Sequence, residues 1–209
     1  MMKALGTAEE LIQPTDEELL SRYRDEGRPD DFNVLVQRYQ RELFRYLVRY
    51  TGDSALADDV FQNTFLQVHL KKALYEDGRP VRPWLYAIAT HQAVDALRKA
   101  GRRPTISLDL RSQASDSEPS ALVDLLVSDV PGPLANLQEE ERKNWVRKAI
   151  ERLPETLKQT LILAYFQDLK YREIAEIQKI PVGTVKSRLH AALGKLQEMA
   201  RGARHDGSE

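Results

Sequence analysis

The chain has no cysteine. That excludes a disulfide framework and any thiolate metal site, and it suits a reducing compartment. Aromatic residues are few, and no stretch approaches the roughly 20 consecutive apolar residues of a membrane-spanning helix. Met1 to Ile12 holds one Lys, two Glu and no long apolar core. This is not a signal-peptide pattern, so the expected location is cytoplasmic. His69, His91, His190 and His205 show no ligand spacing. Asp58 and Asp59 are adjacent, so on a helix they point about 100° apart and do not share a metal. There is no glycine-rich phosphate loop and no nucleophile elbow. No metal, no cofactor and no catalytic residue is expected, and the chain reads as something other than an enzyme.

A strong net charge is also lacking. The formal charge is −1 over 209 residues, which argues against a simple DNA-coating protein. The distribution is uneven, however. Met1 to Asp31 holds nine acids and four bases, Arg98 to Arg103 four bases and no acid, and Thr105 to Pro133 five acids and one base. An acidic remainder weakens non-specific DNA binding by self-repulsion, so useful affinity would depend on a partner.

What is present is centred on Tyr171 to Ala200. A short amphipathic helix to about Gln178, a break at Lys179–Pro181 and a second amphipathic helix make the layout of a helix-turn-helix. In the second helix Val185, Leu189, Ala192, Leu193 and Leu196 fall on one side at about 100° per residue. Gly183, Thr184, Ser187, His190, Ala191 and Gly194 occupy the other, with Lys186, Arg188 and Lys195 on the flanks. Small and hydroxyl residues let a helix sit deep in a groove, and flanking cations reach phosphates. Periodicity alone fits equally a surface helix with a solvated polar face.

Upstream, Thr15 and Glu18 form a capping box at the start of a first helix, which Gly27-Arg28-Pro29 breaks. A helix from Asp30 or Asp31 to about Tyr50 follows, closed by Gly52. The next, Ala55 to about Leu74, is capped by Asp53 or Ser54. It packs through Leu56, Val60, Phe61, Thr64, Phe65 and Val68, and leaves Asp58, Asp59, Gln62, Asn63 and Gln67 outside the stripe. After a turn-rich loop at Tyr75–Pro80, a helix begins at Pro83 as first residue and ends in a basic run at Arg98–Arg103. Thr105–Pro133 reads as an acidic linker. Helices at Asn136–Leu153 and Glu155–Phe166 precede the helix-turn-helix. No segment alternates with period two, so the fold class is all-α: two small helical domains joined by an acidic flexible linker, the second with a helix-turn-helix.

Two sets of residues carry a family resemblance. Phe32-Asn33, Leu35-Val36, Arg38-Tyr39, Asp59 to Phe65 and Trp84-Leu85-Tyr86 with Ile88-Ala89 resemble domain two of bacterial RNA polymerase sigma factors. Leu153-Pro154, Tyr171 with Glu173 to Glu176, and Val182 to Leu189 resemble their domain four. The pair is most similar to the extracytoplasmic-function (ECF) group. The resemblance implies a leader at 1–14, domain two at 15–104, a linker at 105–133 and domain four at 134–202. Domain two would bind the polymerase clamp helices through Asp58, Asp59, Gln62, Asn63 and Gln67. It would open the −10 element with Tyr75, Arg79, Trp84, His91, Arg98, Arg102 and Arg103. Tyr75 would stack on a base, while Trp84 fits either the core or that surface. Domain four would sit on the flap and read the −35 element with Gly183, Thr184, Lys186, Ser187, Arg188 and His190. The partners implied are core RNA polymerase, promoter DNA and an anti-sigma factor.

The sequence departs from the family's pattern at Asn63 (usually Glu), at His91 (often Asn), at Ala191 and Gly194 (often basic) and at Pro181 (commonly a Ser cap). Two other readings stay open from the residues: a helix-turn-helix regulator that acts without polymerase, and a sigma-like protein that sequesters polymerase.

Overall fold

The computed structural model of the protein describes residues 13–101 and 139–205. The leader up to residue 12, the acidic linker, Arg102 and Arg103 lie outside the described residues. Every regular element among the described residues is helical.

The first helix, α1 (Asp16–Glu26), starts on the expected capping box. Glu18 N–H donates to Thr15 Oγ1 at 3.2 Å and Thr15 N–H to Glu18 Oε2 at 3.0 Å. Gly27 ends it at φ +68°, a left-handed conformation that favours glycine. Pro29 does not extend the break; it is the first residue of α2 (Pro29–Thr51). Its fixed φ and missing N–H suit that position, which sequence reading missed. Gly52 closes α2 at φ +71°, and Asp53 caps α3 (Ser54–Lys71) by accepting from Ala55 and Leu56 N–H. A 3-10 turn at Lys72–Leu74 replaces the last turn expected of α3. The next helix, α4 (Val81–Lys99), begins two residues earlier than Pro83, with Pro80 as its cap.

These helices share one core. The 23-residue α2 buries Leu35, Tyr39, Leu43, Tyr46, Leu47 and Tyr50 along one stripe. It packs on α1, α3 and α4. Tyr23 and Phe32 stack at 4.5 Å between centroids, and Phe32 meets Phe65 edge-on at 6.0 Å.

The second cluster comprises α5 (Glu139–Glu151), α6 (Glu155–Tyr165), α7 (Tyr171–Gln178) and α8 (Val182–His205). Leu157, Leu161, Ile162, Ile174, Ile177, Val185, Leu189, Leu193 and Leu196 are buried in it. The inward side of α8 matches the face read from its periodicity. The two clusters touch, α6 against α2 and α7 against α4.

Leu43 is fully enclosed in the first cluster. Leu43→Ala should cost about 2–5 kcal/mol of unfolding free energy, the range for a buried leucine cut to a methyl group. Urea denaturation followed by helical circular dichroism checks this.

Candidate nucleic-acid and polymerase interfaces

Lys179, between α7 and α8, takes a left-handed φ of +53°, and Ile180 N–H returns to Ala175 O at 3.0 Å. The pair turns the chain sharply. Pro181 then opens α8 without a Ser side chain: its carbonyl accepts from Thr184 and Val185 N–H. On the outward side of α8, Gly183 and His190 are exposed, while Thr184, Lys186 and Ser187 are half-buried. A Cβ added at Gly183 would meet nothing within 4 Å, so this position offers bare backbone to a partner. Ser187 Oγ donates to Thr184 O at 3.1 Å, back into its own helix.

Arg188 differs from the expectation of a cation held out to phosphate. Its Nη1 donates to Gln178 Oε1 at 3.0 Å, and the same oxygen accepts from Thr160 Oγ1 at 3.0 Å. A half-buried guanidinium so placed ties α8 to α7 and α6.

The loop before α4 is clamped. Arg24 donates to Tyr75 O at 2.9 Å and to Asp77 Oδ2 at 2.9 Å, and Ser21 donates to Asp77 Oδ1 at 2.8 Å. These donors hold the Asp77 carboxyl below the usual carboxylate range. Val81 N–H donates to Glu17 Oε1 at 3.0 Å. Within this clamp Tyr75 is 3% exposed, meets Trp84 edge-on at 5.4 Å, and donates its hydroxyl to Arg79 O. The expectation that Tyr75 stacks on a base is therefore corrected: its ring fills the loop's interior and no face is open to a base. Trp84 is half-buried against the same core.

Arg79 is exposed and pairs with Glu176 at 3.3 Å. His91 and Arg98 are exposed on α4, with Arg98 3.7 Å from Asp95. Thus Arg79, Trp84 and His91 gather around the first half of α4, and Arg98 stands apart near its end. Arg82 and Tyr86, on the same half of α4, were missed by sequence reading. Arg82 pairs with Glu42 of α2 at 3.4 Å and donates to Gln167 O at 2.7 Å, and Tyr86 donates to Gln167 Oε1 at 2.5 Å, partners too distant in the chain for a local pattern to report.

Along α3, Asp58, Asp59, Gln62 and Asn63 are exposed and Gln67 is half-buried. Gln62 donates to Asp58 at 2.8 Å. Leu66, Leu70 and Leu74 continue this face at 52%, 63% and 73% exposure. They too were missed. The available signal was a leucine every fourth residue lying outside the packed stripe, and an open apolar row of that kind marks a contact surface.

His91 is held below its ordinary value of 6.5, chiefly by desolvation, then by Lys179, with Lys71 lowering and Asp95 raising it. The imidazole is thus neutral at pH 7. A base whose folded pKa is depressed contributes stability that is complete above 6.5 and is lost as pH falls towards its folded midpoint. An NMR titration should place the midpoint below 6.5, and Lys179→Ala should raise it.

Comparison with known proteins places these surfaces in a family. Sigma-70 region 2 matches residues 35–103, and Sigma-70 region 4 matches residues 143–196. The chain is 32% identical over 182 residues to the RNA polymerase sigma-H factor of Pseudomonas aeruginosa, spanning 87% of this chain and 92% of the relative. It is 33% identical to the ECF RNA polymerase sigma-E factor of Escherichia coli over 86% of this chain and 91% of the relative. Among solved structures, CnrH in complex with the cytosolic domain of CnrY has a similar fold (TM-score 0.61, 20% identity, 93% of this chain and 99% of that one). So does the sigma factor RpoE in complex with the anti-sigma factor NepR from Bartonella quintana (TM-score 0.59, 21% identity, 82% and 97%). The chain belongs to the ECF family of RNA polymerase sigma factors, which are transcription initiation factors and not enzymes.

Proposed function

We propose that this chain binds core RNA polymerase, directs it to a set of promoters and helps melt the −10 element. The observation that carries the reading is the match of both sigma regions, in chain order, to the two helical clusters. A regulator acting without polymerase, or a sequestering sigma-like protein, is not favoured by that double match.

In this reading domain two spans 15–104, the linker 105–133 and domain four 134–202. The face of α3 formed by Asp58, Asp59, Gln62 and Asn63 docks on the polymerase clamp helices, with Leu66 and Leu70 extending the contact. Full burial of one leucine contributes about 1.5–3 kcal/mol, more than an exposed ion pair of about 0–1 kcal/mol, so the leucines carry most of the affinity. Asn63 keeps a hydrogen-bonding side chain there without the charge usual in the family. The first half of α4, with Arg79, Trp84 and His91, holds the opened strand, and Arg98, Arg102 and Arg103 hold phosphates beyond it. Gly183, Thr184, Lys186, Ser187 and His190 face the −35 element, and Arg188 positions their helix. With small residues at Ala191 and Gly194, reading there rests on close backbone approach more than on added cations. Among the described residues no helix is long and apolar enough to cross a membrane. A cytoplasmic site of action and control by an anti-sigma factor that covers the polymerase-facing surface complete the reading.

Run-off transcription with core polymerase and promoters recovered by cross-linking tests it; no transcript from any recovered site would overturn it. Leu70→Glu should weaken polymerase binding at least about tenfold by the loss of one buried leucine, while leaving the helical signal unchanged. Lys186→Ala should flatten the salt dependence of binding to −35 duplex by about one counterion; an unchanged slope would remove Lys186 from the phosphate contacts.

A further inference from the structure

The arginines of the first cluster are paired with carboxylates, with one exception. Residues 13–101 contain ten arginines. Seven lie within 4 Å of a carboxylate oxygen, from Arg22 with Glu18 to Arg98 with Asp95. The three without such a partner among the described residues are Arg41, Arg45 and Arg49 of α2. All three are exposed. Four residues apart, they form one row about 12 Å long. It faces away from Leu43, Tyr46, Leu47 and Tyr50, which are buried. The nearest acid in sequence, Glu42, is held by Arg82 at 3.4 Å. Like charges one helical turn apart destabilise a helix. The Arg49 guanidinium is lowered first by desolvation and then by the charges of Arg45 and of Arg147 in α5. Arg49 at least lies over the Phe166 ring, 4.4 Å from its centroid. Arg41 and Arg45 make no ion pair and no ring contact among the described residues, so their charges do nothing for the fold.

The row's position is a second observation. Arg82 of α4 meets Glu42 of α2 at 3.4 Å, and Thr90, two turns on, meets Tyr46 at 2.7 Å. Arg98, at the end of α4, comes near enough to Tyr50 for its charge to oppose the burial that raises that phenol's pKa. The two helices therefore advance in the same direction, and the Arg49 end of the row lies beside the Arg98 end of α4. Arg98 is read above as holding phosphate beyond the opened strand, and the row carries positive charge onward from that point. A guanidinium matches phosphate in two parallel hydrogen bonds. No aromatic residue of α2 is exposed, so the row has no ring on which to stack an unpaired base. Its chemistry suits the backbone of a duplex, which positions a protein without reporting sequence.

We propose that Arg41, Arg45 and Arg49 form a phosphate-binding ridge on α2 that holds the double-stranded promoter DNA between the −10 and −35 elements, whatever its sequence. This rests on the reading of α4 as the strand-opening surface. The ridge gives the first cluster a grip on duplex in addition to its grip on the opened strand. Both grips start from the Arg98 end of α4, so the ridge fixes the direction in which the duplex leaves the opened segment. It also accounts for three arginines left without carboxylates in a cluster that pairs all its others.

The test uses the full-length chain bound to core polymerase, on promoter DNA recovered by cross-linking. Replacing both Arg41→Gln and Arg45→Gln should lower the slope of log affinity against log salt by about 1.8, the loss of two phosphate contacts. Arg41→Lys with Arg45→Lys should keep the slope, and a scrambled spacer of the same length should be bound as well as the native one. Affinity for core polymerase should not change, and thermal melting establishes that each variant is folded. The absence of native cysteine allows a direct map. A photo-cross-linker on the single cysteine of Arg45→Cys should attach to the duplex between the two elements. An unchanged slope in the folded double glutamine variant would overturn the proposal. So would a cross-link that forms only to polymerase or to residues 105–133 of the chain itself, which would make the ridge a protein contact. A complex that shows the slope change and the duplex cross-link but starts no transcript would keep the ridge and overturn the promoter reading instead.

Discussion

Three buried tyrosines set the terms for the rest of the molecule. Tyr46, Tyr50 and Tyr86 are all at or below 1% exposed, with Tyr46 stacked on Tyr50 at 6.0 Å and edge-on to Tyr86 at 5.2 Å. Such rings supply much of the first cluster's apolar burial, but each phenol needs a hydrogen-bond partner when enclosed. Tyr46 shares a hydrogen bond of 2.7 Å with Thr90 inside its own cluster. Tyr50 and Tyr86 take theirs from Gln159 and Gln167 of the other. Burial holds the Tyr50 phenol well above its ordinary pKa, and the Glu155 carboxylate pushes in the same direction. Two helical bodies are thereby linked through a requirement that originates in the core of one of them.

Apolar packing holds both clusters and runs across the line between them. Within each cluster the contacts are leucine, isoleucine, valine and aromatic side chains, where removing one side chain costs about 2–5 kcal/mol. Across the boundary the buried apolar core continues from one cluster into the other, and the hydrogen bonds to Tyr50 and Tyr86 add about 0.5–1.5 kcal/mol each.

Function and fold also compete for particular side chains. The loop at Tyr75–Pro80 has the composition of a mobile turn, yet Arg24, Ser21 and Glu17 of α1 fix its carbonyl, carboxylate and following N–H. Tyr75 supports Trp84 and so shapes the surface from behind. Arg188 secures α8 to Gln178 in a similar supporting role. The row of Leu66, Leu70 and Leu74 is the opposite case: apolar groups that the folded chain leaves in water.

The sequence by itself determined the helices, their caps and the faces they bury. The capping box at Thr15, the closing glycines at Gly27 and Gly52 and the inward side of α8 depend on residues within a few positions of one another. Period and local hydrogen bonding report such features directly. The sigma motifs at Asp59–Phe65 and Val182–Leu189 were readable for the same reason, as compact strings. Tertiary structure decided which polar side chains face a partner and which are taken up within the fold. Tyr75, Arg188, Gln167 and Lys158 each have a partner at least ten residues away. Leu66 and Leu70 stand outside the packed stripe of α3 in the sequence, but their exposure was settled only when neighbouring helices filled that helix's other side. A side chain's type fixes what it can bond to, but only the folded neighbourhood fixes what it does bond to.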